Sequence, residues 1–358
     1  MEVLIIVRPT LFTVKGGDTI QVIETAKQLN KLGVKVDIKP AHEKINYSSY
    51  HLLHFFNIIR PADILIHIKK SNKPFVVSSI FIDYSLYDKV HRGRLAGKLF
   101  KLMTPDGIEY VKNVYRYVSR KDKLASVSYL WKGQRRSISA ILQKVKCLLV
   151  HSEEEYNQLI KMYKSPASFA IVQNGIDTDL FKPDVSIQRE DNLVLCVARI
   201  EGIKNQYNLI KALNNTKYKL LLIGDAAPNQ QAYYRQCKKL AAANVSFIKY
   251  LPQQELIQYY TKAKVHVLPS LFEVCGLSSL EAAAMGCNIV ITANGYAKEY
   301  FKEAAYYCNP ADADSILAAV DKAAGSSTNK ELQKNVIENF TWKIAAGKIL
   351  AVYKKSLV

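Results

Sequence analysis

The sequence lacks the features that several large protein classes require. No apolar run approaches the roughly 20 residues that a membrane-spanning helix needs. The opening MEVLIIV is too short for the apolar core of a secretion signal and no cleavage pattern follows it, so it reads as a first strand. The six cysteines (Cys147, Cys196, Cys237, Cys275, Cys287 and Cys308) are scattered, with no Cys-x-x-Cys pair and no histidine-rich neighbourhood. That spacing argues against a disulfide framework and a metal centre, and it fits reduced thiols in a cytoplasmic protein. No internal repeat and no low-complexity linker interrupts the chain. Acidic residues are scarce, 31 Asp and Glu against 50 Lys and Arg, for a formal charge of +19.

What is present is a globular composition: 358 residues, 49% of them hydrophobic, long for one domain and comfortable for two. Apolar runs of strand length alternate with helix-like patterns. VLIIV, VKVDI, LLHFF, PFVVSSI and CLLVHS occupy the first half; SFAIV, LVLCVA, KLLLIG, VSFIKY, VHVLPS and NIVITA occupy the second. Such alternation predicts parallel sheets with crossover helices, here in two successive doubly wound α/β domains. The break falls after SEEEYNQLIKMYKS, whose Ser152 suits a helix N-cap, giving expected domains 1–166 and 167–340 and a final amphipathic helix over 341–358.

The positive charge is concentrated. Between Lys89 and Lys146 stand fifteen Lys and Arg against three acids (Asp106, Glu109 and Asp122), interleaved with Tyr, Leu and Trp. A solvated or acceptor-binding face, a nucleic-acid surface and an amphipathic surface docking on anionic lipid are the three readings. Lipid docking gains roughly 1 kcal/mol per well-placed cation. No recognisable nucleic-acid module accompanies the charge, which argues against nucleic acid as a partner. An anionic membrane surface is the expected partner of block 89–146, placing the protein peripherally on the inner face of the cell membrane.

The most informative segment is FEVCGLSSLEAAAMG, where Glu273 and Glu281 stand with seven residues between them. KVHVLPS before it reads as a buried strand. LSSLEAAAMG reads as a helix starting near Ser278 or Ser279 and ending at Gly286. A strand-loop-helix of this kind places its loop at the carboxyl edge of the sheet, where α/β proteins bind ligands, and free helix N–H groups there favour anions. Two acids beside a phosphate make sense if they hold neutral hydroxyls on either side of it; otherwise they are solvated glutamates near a helix start. VLCVARIEGIKNQYNLIKAL supplies the complement: Arg199 and Lys204 follow another strand, with a helix beginning near Asn205. Fixed cations there suit a departing diphosphate, or simply cap a turn.

Together these segments resemble family 4 retaining glycosyltransferases of the GT-B fold. The resemblance runs along nearly the whole chain, and its specific motifs concentrate in residues 173–301. It implies two Rossmann-like domains facing a cleft, with the C-terminal helix crossing back to the first. It implies Glu273 on the donor hexose, Glu281 on the nucleotide ribose, and the backbone of Cys275, Gly276 and Leu277 against sugar and diphosphate. Arg199 and Lys204 are implied on the diphosphate, which makes a metal unnecessary; Asp312 and Asp314 show Asp-x-Asp spacing but lie far downstream, at an expected helix start. Gly224–Asp225, Asn174–Gly175 and Glu299 match family turns and read as structural. SFIKYLPQQEL resembles the segment against the base, so Tyr250 or Leu251 is the expected base contact.

In the first domain, Gly16–Gly17 resembles the family's Gly-Gly loop against the donor diphosphate or acceptor, although a plain turn has the same composition. Many family members carry a His-Asp pair after the fourth strand. Here Asp83 survives, Ile82 stands at the His position, and His91 is out of register. Asp83 and Tyr84 are candidates for the acceptor, as are His54 and Asn57 at another strand end, where a packed histidine is the competing reading. The function implied is transfer of a hexose-type sugar from a UDP or GDP sugar to a lipid-linked glycan or surface-polysaccharide intermediate, with no cofactor beyond the donor. A nucleotide-sugar epimerase, a phosphorylase lacking its cofactor lysine, and a degenerate sugar-nucleotide-binding protein are the alternatives.

Overall fold

The computed structural model describes residues 1–82, 100, 102–119, 126–183, 186–227 and 229–358. They form two compact units, Met1–Gln173 with Trp342–Val358, and Asn174–Thr341.

The first unit contains β1 (Glu2–Val7), α1 (Gly17–Lys31), β2 (Lys35–Pro40), β3 (Leu52–Phe56), α2 (Pro61–Ser71), β4 (Phe75–Ser78), α3 (Pro105–Val118), α4 (Ser128–Leu142), β5 (Cys147–Val150), α5 (Glu153–Tyr163) and β6 (Phe169–Ile171). The strands form one parallel sheet in the order β2-β1-β3-β4-β5-β6. The central strands are continuous apolar runs because helices cover both faces; LLHFF of β3 is buried throughout. Local chemistry sets the helix ends. The Ser152 hydroxyl accepts from Glu155 N at 3.0 Å, and three acids fill the first turn of α5. Pro61 opens α2, and Asn72 closes it in the left-handed region. The unit extends past the expected break to Gln173 because Phe169–Ile171 pairs with β5. The C-terminal helix (Trp342–Ser356) packs on α1, β4 and β5.

The second unit contains β7 (Glu190–Val197), a 3-10 turn (Gly202–Lys204), α6 (Gln206–Leu213), β8 (Lys219–Ile223), α7 (Gln231–Leu240), β9 (Val245–Ile248), α8 (Gln253–Lys262), β10 (Ala263–Leu268), α9 (Leu277–Ala284), β11 (Asn288–Thr292), α10 (Lys298–Phe301), β12 (Tyr306–Cys308), α11 (Ala313–Gly325) and α12 (Lys330–Asn339). Its parallel sheet runs β12-β11-β10-β7-β8-β9. Read from β9, this is the dinucleotide-fold order, in which the direction of winding reverses between β7 and β10. Loops leaving the carboxyl ends of those two strands diverge to opposite faces and open a crevice, the usual ligand position in open α/β sheets. In the first unit the equivalent point lies between β1 and β3.

Candidate functional site

The crevice at the β7/β10 switch point brings together the two segments that sequence reasoning singled out. After β7 the chain passes Arg199 and the 3-10 turn, then Asn205 at φ 60, which is the N-cap of α6. The Asn205 amide donates to Pro269 O at 3.1 Å and Pro310 O at 2.7 Å, and Leu271 N donates to Ile203 O at 2.8 Å. These bonds fasten the loop after β7 to the loops after β10 and β12. Across that junction Lys204 Nζ donates to Glu273 Oε2 at 2.7 Å, and Ser270 Oγ donates to the same oxygen at 2.9 Å. Burial works against the Lys204 charge, but the charge and hydrogen bond of Glu273 outweigh it, with help from Glu201, and hold the ammonium above its usual pKa. Arg199 pairs with Glu201 at 3.0 Å and keeps 40% of its side chain exposed. The crevice therefore offers one accessible guanidinium, one ammonium and one carboxylate, all braced from behind.

Two glycines set the backbone of this site. Gly295 (φ 102) sits against Glu273: Tyr296 N donates to Glu273 O at 2.9 Å and Glu273 N to Asn294 O at 3.0 Å. A Cβ on Gly295 would lie 2.1 Å from the Glu273 carbonyl oxygen. Gly224 (φ 148) holds the other arm in the same way, its Cβ position lying 2.1 Å from Ala198 O, one residue before Arg199. Asp225 follows and its carboxylate accepts from Tyr250 N at 3.2 Å, leaving the Tyr250 ring exposed.

The helix after the loop starts at Leu277, beside Ser278, as the sequence reading expected. Gly276, at φ 64, is the N-cap of α9 and Leu277 its first residue, while Ser279 lies inside, its hydroxyl 3.2 Å from His266 Nδ1. No acid occupies the first turn of α9, so its positive end is uncompensated. Cys275 is buried and its sulfur accepts from Asn174 Nδ2 at 3.5 Å, which makes it a packed thiol behind the loop. Glu281 is buried, one turn further along. Gln253 Nε2 donates to its Oε1 at 2.6 Å and Tyr260 Oη to its Oε2 at 2.9 Å. Burial pushes the Glu281 carboxyl up to about 7, although both hydrogen bonds pull the other way. The far ends of α8 and α9 are closed by Arg189, which donates to Tyr260 O at 2.9 Å, Ala263 O at 2.6 Å and Met285 O. The sequence reading missed Gln253, Tyr260 and Arg189, and it named Asn205 only as the start of a helix. Only Gln253 carried a signal, as the opening residue of the helix in SFIKYLPQQEL. Asp312, read against a metal role, is the N-cap of α11, accepting from Asp314 N at 3.0 Å.

In the first unit Gly16 is the N-cap of α1, its N–H donating to Thr19 Oγ1 at 3.1 Å. The loop before it is anchored by Arg8, which donates to Asp18 (2.6 and 3.1 Å), Thr10 Oγ1 (2.8 Å) and Val14 O (2.7 Å). Gly16–Gly17 thus stands at the carboxyl edge of β1 on a fastened loop. Asn57, half-buried at the end of β3, adopts φ 75 and donates its N–H to Ser78 O at 2.9 Å. His54 is a correction to the acceptor candidates. It is wholly buried, with Nδ1 2.6 Å from Tyr353 Oη and Nε2 2.9 Å from Ser78 Oγ, and burial lowers its pKa to about 3. Both nitrogens are used to tie the C-terminal helix to the sheet, and a neutral, enclosed ring has no face for an acceptor. Asp83, Tyr84 and His91 lie outside the described residues. Just before them, the buried Glu155 accepts from Ser79 Oγ at 2.5 Å, Phe81 N at 2.8 Å and His151 N at 2.6 Å. Burial alone would raise its pKa, but His151 and Ser79 outweigh that and lower it.

Comparison with known proteins agrees with this geometry. Residues 177–341, which contain Arg199, Lys204, Glu273 and Glu281, match the model of glycosyl transferases group 1. The chain is 24% identical over 327 residues to the D-inositol 3-phosphate glycosyltransferase of Corynebacterium aurimucosum, spanning 78% of this chain and 75% of that one. Among solved structures, sucrose-phosphate synthase from Thermosynechococcus elongatus superposes with a TM-score of 0.76 at 17% identity, covering 99% of both chains. HepE of Anabaena, solved with UDP, superposes with a TM-score of 0.69 at 14% identity over 99% of this chain and 100% of its own. The fold is that of the GT-B proteins, two Rossmann-like α/β units. The protein is a glycosyltransferase, similar over residues 177–341 to the group 1 enzymes.

Proposed function

We propose that the protein is a retaining transferase of the family 4 type that moves a hexose-type sugar from a UDP or GDP sugar to a lipid-linked glycan or surface-polysaccharide intermediate. The observation that carries this reading is the meeting of Arg199, Lys204 and Glu273 at the β7/β10 switch point, with Lys204 and Glu273 2.7 Å apart. HepE has been solved with UDP and with UDP-glucose, which supports a nucleotide-sugar donor for this chain too.

The chemistry follows from charge. Breaking the bond between the sugar's anomeric carbon and the diphosphate oxygen puts negative charge on that oxygen. Arg199 and Lys204 are fixed cations that stabilise it as it grows, the role a metal fills in other transferases. The acceptor hydroxyl forms its new bond on the same face, and its proton passes to the departing phosphate oxygen. Glu273 orients the sugar and stabilises positive charge developing on its ring. Glu281 holds the ribose hydroxyls. Gly16–Gly17, Asp83, Tyr84 and Asn57 are the first-unit residues assigned to the acceptor and diphosphate. Among the described residues no helix is long and apolar enough to cross a membrane, so docking on an anionic inner membrane face is peripheral in this reading.

The test is thermal stabilisation by UDP, GDP and ADP, compared for the wild type and Arg199→Ala. Ligand at about 100 times its dissociation constant adds roughly 2.7 kcal/mol. One nucleotide should stabilise the wild type, and Arg199→Ala should lose most of that shift. Glu273→Gln should keep the shift and lose turnover of the corresponding sugar donor. Full turnover in both variants would show that the site is elsewhere.

A further inference from the structure

Helices α3 and α4 form an antiparallel hairpin whose contacts are specific. Near the start of α3, Asp106 accepts from Arg135 Nε at 2.9 Å. Further along, Tyr110 Oη donates to Leu130 O at 2.8 Å and its ring lies 5.5 Å from that of Tyr129. Asn113 then donates to Tyr129 Oη at 3.2 Å. The end of α3 therefore lies beside the start of α4. The hairpin's demand for burial is met by its inner face, where Ile108, Tyr129, Ile138 and Ile141 are enclosed. Yet its tip presents a second apolar set: Tyr115 (60% exposed) and Val118 (73%) from α3, Val127 (64%) and Trp131 (86%) from α4. Gly133, at φ 69, breaks α4 just after this set, so the turn bearing Trp131 is a separate piece of helix. Isolated exposed apolar residues are ordinary, but four large ones gathered at one end of a hairpin mark a contact surface.

We infer that this tip inserts into the headgroup layer of an anionic bilayer, with Trp131 as its anchor. The choice of occupant rests on charge and ring chemistry. Exposed Lys132 and Arg136 adjoin the apolar set, within the block that carries fifteen cations against three acids. Anionic lipid complements that charge, and Trp and Tyr favour the headgroup depth, where one end is apolar and the other wet. Insertion differs from attraction by charge alone: the cations draw the surface in and are screened by salt, whereas burial of the apolar tip is not. The inference rests on the membrane-docking part of the function proposed above and on none of its transfer chemistry.

The test uses the full chain and vesicles of phosphatidylcholine with phosphatidylglycerol. The chain has two tryptophans, and Trp342 is 3% exposed, so Trp131 dominates any change in quenching by solutes in water. Vesicles should shield Trp131 from acrylamide and expose it to brominated lipid. Trp131→Ser should cut vesicle partitioning by about ten- to a hundredfold, the usual range for one large apolar side chain. Leu102→Ser removes an equally exposed apolar side chain (89%) just before α3, at the end away from the tip, and should change partitioning little. Equal losses in the two variants, a bound protein whose Trp131 stays open to acrylamide, or self-association through the tip without lipid would each overturn the inference. So would absence of vesicle binding at low salt. Nucleotide stabilisation measured on the same samples separates that failure from failure of the donor site.

Discussion

Substituting alanine for Gly295 probes whether the backbone of the crevice positions its carboxylate. The glycine adopts φ 102, and an added Cβ would lie 2.1 Å from Glu273 O and 2.9 Å from Glu273 C and N. Cβ atoms essentially never approach other heavy atoms within 3.0 Å, so the two segments must part by about 0.9 Å. The positive φ adds strain of about 1–3 kcal/mol. At about 2–4 °C per kcal/mol for a unit of this size, the melting temperature should fall by several degrees while the transition stays cooperative. The larger effect falls on rate. Glu273 moves with its carbonyl, and a misplacement of about 1 Å commonly costs on the order of a hundredfold in turnover. The assay is the initial rate of nucleotide release with a saturating sugar donor of the nucleotide that stabilises the wild type. Gly325→Ala is the control, since nothing lies within 4 Å of its Cβ position. If Gly295→Ala keeps kcat within about threefold of Gly325→Ala, Glu273 is not held by this contact and the reasoning fails.

Gly224→Ala should act on the other arm, weakening stabilisation by the preferred nucleotide through displacement of Ala198 and Arg199; an unchanged thermal shift with a lowered melting temperature would contradict this. Glu281 has a folded pKa of about 7, raised above its ordinary 4.5, so its contribution to stability is complete below pH 4.5 and is lost as pH rises through 7. The difference in unfolding free energy between wild type and Glu281→Gln should therefore change by about 1.4 kcal/mol per pH unit across that window, and a flat difference would refute the shifted pKa. His54, held neutral with a pKa of about 3, works in the opposite direction: its contribution is present above pH 6.5 and is lost as pH falls toward 3. His54→Phe should remove that acid dependence and loosen the C-terminal helix, read by amide exchange around Tyr353, while leaving stabilisation by nucleotide intact.

The architecture was legible because its signals are local. Parallel strands covered on both faces are continuous apolar runs, and β3, β10 and β11 stand where LLHFF, VHVLPS and NIVITA said they would. Arg199, Lys204 and Glu273 were legible as residue types at strand ends, where an α/β sheet places its chemistry. What was not legible depends on contacts distant in sequence. Nothing in FEVCGLSSLE announces that Gly295 abuts Glu273, or that Gln253 and Tyr260 hold Glu281. The fate of His54 is settled by Tyr353, a partner 299 positions away. The start of α9 was legible for a local reason: LSSLEAAAMG has a helical pattern from its first residue, and at Gly276 the chain takes a left-handed turn that glycine adopts freely, so the helix begins at Leu277.

The return of the C-terminal helix to the first unit bears on the order in which the chain acquires structure during synthesis. The second unit is a continuous stretch whose ends meet, Ile176 N donating to Phe340 O at 2.9 Å, so it has all its parts once residue 341 has emerged. The first unit is translated earlier but lacks its last helix until the ribosome reaches the end of this sequence. Until then the His54 ring and the faces of α1, β4 and β5 that receive the helix are without their cover. The unit made first is thus finished last, and the nascent chain carries an exposed apolar face through the whole synthesis of its neighbour, the interval in which a chaperone has most to protect.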